Sequence, residues 1–190
     1  MSDAVNEEYG QFDHNFMFLS DSARWVKGAI FQGERLLSYT NAQYDMEIHK
    51  CEEDFFVFAL DRAIFMLKQT AKANPEFSVF VSEIERKIGS DIVKDVRDMR
   101  THIDEYAKGT GRHQDKFLHK SENVSSPDGN IFIGTVVADV TSTIVFEDRY
   151  LIGGRLNVQE AIKVLREVYP SVEALATKKR FGSFLQGEHT

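Results

Sequence analysis

The stretch VRDMRTHIDEYAKGTGR, Val96 to Arg112, carries an arginine, Arg97, five residues ahead of a histidine, His102. Those two residue types suffice to cleave RNA without a metal. Imidazole titrates near neutral pH and is a competent general base. A guanidinium is permanently charged and stabilises a phosphoryl group as negative charge develops on it. His102 would take the proton of a ribose 2′-hydroxyl, and Arg97 would steady the pentacovalent phosphorus. Asp98 lies four residues before His102, on the same side of an ideal helix, where a carboxylate can fix the imidazole tautomer. The same spacing also describes an ordinary solvated pair. Lys108, Arg112, Lys116 and Lys120 lie beyond the histidine, with His113 and His119 between them, and Arg100 lies just before it. In an acidic chain this is the best surface for following a phosphate backbone, with KKRF (Lys178–Phe181) as a second basic run. A solvated loop is the competing description of both.

Positioning sets a condition on this chemistry. Ile92, Val96, Met99, Ile103 and Tyr106 step by four, three, four and three, which is one continuous apolar helix stripe. On that helix Arg97 and His102 are turned apart by about 140° and ~7.5 Å of rise, one on each flank of the stripe. Either the helix is distorted near Met99, or two copies of the chain meet about a two-fold axis and share a cleft. The second option makes a homodimer a requirement for activity.

The rest of the chain supplies the frame. Phe12 to about Thr40 reads as a helix, with Gly28 and Gly33 as its weakest positions. Met46–Ala73 has no Pro or Gly and ends before Asn74-Pro75, so it reads as an uninterrupted helix. Between Phe55 and Leu67 its apolar residues run almost all the way round, which predicts a helix central to the core. A third helix follows Pro75 and closes at Gly89. The fourth starts at Ser90 or Asp91 and runs to Lys108 and Gly109. Residues 110–130 read as a polar loop with a short helix near Phe117. Ile131–Leu156 is rich in Val, Ile, Thr and aromatics, with a turn at Glu147-Asp148-Arg149, and reads as a β-hairpin or small meander. Asn157 and Glu160 resemble a capping box, and Pro170 is expected to begin a last helical piece. The expected architecture is one mainly α domain over residues 1–190. It has a helical core at 12–109, an antiparallel bundle of four to five helices, a β insertion at 131–156 and closing helices at 157–186.

Composition narrows the setting. The 190 residues are 42% hydrophobic and 12% aromatic, enough for a sizeable core. A net charge of −7 disfavours a protein that coats nucleic acid indiscriminately, though not a local basic groove. With Cys51 as the single cysteine no internal disulfide can form. The polar N-terminus lacks the features of a secretory signal, and no apolar run is long enough to span a bilayer, so the expectation is a cytoplasmic protein without membrane contact. EIHKCEED (Glu47–Asp54) gathers His49, Cys51 and carboxylates, but one Cys and one local His do not make a closed zinc site. No metal and no cofactor are expected.

The run RDMRTHIDEY, late in a four-helix chain, resembles the HEPN superfamily, typified by an arginine, a polar residue, a few further positions and a histidine near a helix end. Arg97, Asp98 and His102 match that pattern position by position, and the resemblance covers helices two to four and the last helix. It implies a HEPN-like helical bundle to which the β segment is an embellishment. For the nuclease members it implies a metal-independent ribonuclease with a dimeric cleft, Arg97 on phosphate and His102 moving the proton. The partners implied are a second copy, RNA, and a partner protein or antitoxin. Some members add a tyrosine two residues after the histidine; Asp104 stands there in this chain, and Tyr106 is two further on. The superfamily also holds non-catalytic members. The alternative reading is therefore a HEPN-like interaction module, and a third is a structural protein that pairs through its β segment.

Overall fold

The computed structural model describes residues 14–38, 46–117, 124–125, 131–132, 143–146 and 149–185. Three long helices carry the architecture: α1 (His14–Ser38), α2 (Met46–Ala73) and α7 (Val158–Leu185). Between α2 and α7 come a 3-10 turn (Pro75–Phe77), α3 (Ser78–Lys87), α4 (Ser90–Thr101), α5 (Ile103–Ala107) and α6 (Gln114–Phe117). The fold is mainly α, with a small β segment in the C-terminal half. Antiparallel β1 (Val124–Ser125) and β2 (Ile131–Phe132) form one pair. Strands β3 (Ile144–Phe146), β4 (Arg149–Ile152) and β5 (Leu156–Asn157) form an antiparallel meander. β1 lies within the expected polar loop, ahead of the expected insertion. The side chains at His119, Lys120, Glu147 and Asp148, and residues 186–190, lie outside the described residues.

Local chemistry explains the boundaries. α2 ends before Pro75, whose ring cannot accept a preceding helical residue without a clash. Gly89 has φ +81°, a conformation that only glycine adopts without strain, and it reverses the chain between α3 and α4. The start of α4 is capped from behind. Glu85 accepts the Ser90 backbone N–H at 2.9 Å and its hydroxyl at 2.6 Å, so neither Ser90 nor Asp91 caps with its own side chain. At α7 the Asn157 side chain does cap, accepting the Glu160 N–H at 3.1 Å. Gly153 and Gly154, both at positive φ, turn β4 into β5.

The hydrophobic cluster runs from Leu19 on α1 to Ala176 on α7 and includes Phe56, Leu60, Phe77, Met99, Ile152 and Leu165. Each of the larger side chains contributes about 1.5–3 kcal/mol when fully buried. α1 packs on both α2 and α7, and side chains of both reach the α1 backbone at Gly33. A β-carbon there would lie 2.6 Å from Ile162 and 2.9 Å from Phe56. Neither Gly28 nor Gly33 interrupts α1.

One further expectation is corrected. α7 continues through Pro170 rather than restarting there. The carbonyl that Pro170 leaves without a donor belongs to exposed Arg166, where water can serve, while buried Val168, Val172 and Ala176 hold both halves on the core. α2 is central, packing on α1, α3 and α4, but it is not buried all round. Phe56, Leu60, Ala63 and Leu67 face the core, whereas Phe55, Phe58 and Phe65 are exposed. No helix among the described residues is long and apolar enough to cross a membrane.

Candidate functional site

The helix expected to carry both Arg97 and His102 is broken at the histidine itself. His102 has φ −116° and ψ 39°, so it is the C-cap of α4 and the N-cap of α5 at once. Its N–H still reaches the Asp98 carbonyl at 3.0 Å, and its carbonyl accepts from Glu105 and Tyr106. The helix is therefore distorted three residues beyond Met99, at His102 itself. Met99 is fully buried and holds α4 on the core.

The break reassigns the neighbour of the imidazole. The His102 side chain is 49% exposed, with Nδ1 3.7 Å from Glu105 Oε1, an ion-pair distance too long for a hydrogen bond. Asp98, expected to orient the imidazole, makes no hydrogen bond or ion pair to it among the described residues, and Glu105 is the carboxylate beside the ring. Arg97 packs across to α2, where its NH1 donates to Asp61 Oδ2 at 2.9 Å. Asp61 thus engages one of five guanidinium N–H donors. No hydrogen bond or ion pair joins Arg97 to His102 within the chain.

Four of the basic residues expected at a nucleic-acid surface divide into two groups. Lys108 and Arg112 are exposed; Lys108 is 3.6 Å from Asp104, and Arg112 has no ion pair among the described residues. Lys116 is tied down, because its Nζ lies 2.7 Å from Asp95 Oδ2, which also accepts from Arg155 at 3.0 Å. Burial pushes the Asp95 carboxyl up, but the Lys116 and Arg155 hydrogen bonds outweigh it and hold the group below its ordinary value. His113 Nε2 stands 3.8 Å from the other oxygen. Arg100 is withdrawn altogether, with only 7% of its side chain exposed. In KKRF, Lys179 pairs with Glu76 and Arg180 donates to Ser20, both within the chain, and the run is part of α7 rather than a solvated loop.

Arg100 belongs to a buried polar cluster that the spacing of residues in the sequence did not reveal. Its NH1 donates to Glu53 at 2.9 Å, its Nε to Asp54 at 2.5 Å and its NH2 to the Lys50 carbonyl at 2.8 Å. The other oxygen of Glu53 accepts from Thr143 and from Tyr150 Oη, the latter at 2.6 Å. Tyr150 Oη is also 2.6 Å from His49 Nδ1. A phenol has one proton; since it goes to Glu53, His49 Nδ1 must carry the proton of the second bond. His49, Glu53 and Tyr150 are all buried, so the cluster clamps β4 and α4 to α2 rather than meeting a substrate. The available clue was His49 and Glu53 at i and i+4 in EIHKCEED, a run that reads first as a poor metal site. Its partners come from residues far along the chain.

Among the described residues no group of three or more His, Cys, Asp or Glu is arranged to hold a metal ion. No protein-family model, curated protein or solved structure matches the chain.

Proposed function

We propose that the chain is a HEPN-like, metal-independent endoribonuclease that works as a dimer. His102 accepts the proton of a ribose 2′-hydroxyl. The 2′-oxygen attacks phosphorus, the bond to the 5′-oxygen breaks, and the products are a 2′,3′-cyclic phosphate and a 5′-hydroxyl, the leaving oxygen taking its proton from solvent. Arg97 stabilises the phosphorane charge. The observation that carries this reading is the helix break at His102, which leaves a half-exposed imidazole with a carboxylate 3.7 Å from Nδ1. A carboxylate on that side favours Nδ1–H and leaves Nε2 as the basic nitrogen. Asp61 supports the assignment of Arg97 by orienting the guanidinium while most of its donors stay unengaged. The exposed Lys108 and Arg112 lie nearby along the chain to meet the RNA backbone.

The test is incubation of the purified protein with total RNA in EDTA. Wild type should leave cyclic-phosphate ends, and His102→Ala should abolish cleavage with an unchanged circular dichroism spectrum. Cleavage that persists in that variant removes His102 from the mechanism. A second reading, a non-catalytic HEPN-like binding module, is favoured by the Arg97–Asp61 ion pair, which already gives the guanidinium an intramolecular partner. It expects no cleavage by either protein.

A further inference from the structure

The outer face of α2 carries a repeat that the core does not use. Ile48, Phe55 and Arg62 are spaced by seven, and so are Cys51, Phe58 and Phe65. The two series interleave as the a and d positions of a heptad, a seam of about 26 Å. The seam is not buried: Phe55 is 56% exposed, Phe58 50% and Phe65 42%. Ile48 and Cys51 are exposed as well. The Arg62 guanidinium lies 5.7 Å from the centres of both the Phe58 and Phe65 rings. Trp25 of α1 meets Phe58 edge-on and borders the seam on one side. On the other side Asp54 and Asp61 reach to Arg100 and Arg97 of α4.

We propose that this face binds the same face of a second copy, with the two α2 helices antiparallel about a two-fold axis passing between Phe55 and Phe58. Self-complementarity argues for the second copy. About that axis Ile48 falls opposite Phe65, Phe55 opposite Phe58, and small Cys51 opposite long Arg62, so each bulky group meets an apolar or a small one. A parallel pair would set Arg62 against Arg62 inside an apolar seam, where like charges repel in a poorly solvated setting. The area is of the right order. At about 200 Å² per phenylalanine the three exposed rings offer roughly 300 Å². A stable dimer burying about 800 Å² per partner needs roughly 450 Å² of that to be apolar. Ile48, Cys51 and the Arg62 stem make up much of the difference.

The antiparallel order has one consequence for the proposed cleft. A two-fold axis lying in the contact plane, perpendicular to α2, reverses the helix but keeps α4 on the same side. Both α4 helices then lie along one edge of the seam, the arrangement a shared Arg97/His102 cleft requires. That consequence rests on the nuclease reading; the pairing does not.

Light scattering behind size exclusion should give twice the 21.7 kDa chain mass for wild type. It should give the single-chain mass for Phe55→Glu, with helical circular dichroism retained. Phe31→Glu, at an exposed phenylalanine of α1 outside the heptad series, should remain dimeric. For orientation, Arg62→Cys should form inter-chain disulfides with Cys51 under mild oxidation, whereas wild type forms none. A wild type that stays monomeric at tens of micromolar overturns the proposal, as does a dimer indifferent to Phe55→Glu. Wild type that cross-links through Cys51 alone overturns the antiparallel order. Loss of cleavage activity in a variant that remains dimeric bears on the nuclease reading only.

Discussion

Tyr150 on β4 donates its hydroxyl proton to Glu53 on α2 across 2.6 Å, and the opposite oxygen of that carboxylate is held by Arg100 of α4. One buried carboxylate therefore joins three elements distant in sequence. A charge out of water is tolerated only while its partners remain. Arg100→Ala should cost about 3–5 kcal/mol, read as a lower urea midpoint, because Glu53 is left buried without its counter-charge. Adding Glu53→Gln should recover part of the loss. A single variant within about 0.5 kcal/mol of wild type would show that the pair is not what holds this junction.

Gly28 and Gly33 make a matched test of packing. A β-carbon at Gly28 meets nothing within 4 Å, so Gly28→Ala should stabilise by about 0.5–1 kcal/mol through helix propensity alone. At Gly33 the same methyl collides with Ile162 and Phe56, and Gly33→Ala should destabilise by about 1–3 kcal/mol. Thermal melts showing the same sign for both would refute the close approach of α1, α2 and α7.

Acid stability should carry the mark of Asp95. Its folded-state pKa is depressed, so over the interval between the folded and unfolded values the native state binds fewer protons than the unfolded chain. The stabilisation is present above the unfolded value, about 4, and is lost as pH falls through the folded one. Asp95→Asn should flatten the acid limb of a stability-versus-pH curve and leave its slope near neutrality unchanged. An acid limb identical to wild type would assign the effect to other carboxylates, Glu85 among them.

If Arg97 acts on phosphate, its orientation by Asp61 matters. Asp61→Asn removes a charged partner and should slow RNA cleavage by about ten- to a hundredfold, the penalty of a misdirected catalytic group, while His102→Ala abolishes it. An unchanged rate in Asp61→Asn would mean that Arg97 needs no such support.

Helix extents were largely written into the chain, because apolar period, proline and glycine act over a few residues. The span of α2 agrees to the residue with a run free of Pro and Gly that stops before Asn74-Pro75, and Asn157 caps α7 as its spacing with Glu160 suggests. Local preference was overridden at Pro170 and at His102. In the first case the core grips both sides of the proline; in the second α4 ends one residue short of the histidine.

Which faces are covered and which charges are paired was decided by tertiary structure alone. Residues 55–67 are apolar on nearly every side, and periodicity cannot choose a buried face when all faces qualify. Packing by α1 and α4 chose it and left Phe55, Phe58 and Phe65 outside. In the same way Arg97 and Arg100 are alike in sequence, three residues apart on one helix. One keeps two-fifths of its side chain in solvent and the other is sealed against Glu53, because the carboxylates that select them sit on another helix 36 and 47 residues away. Residue type and spacing determine what a helix can offer; only the neighbour it folds against determines which of those groups remains available.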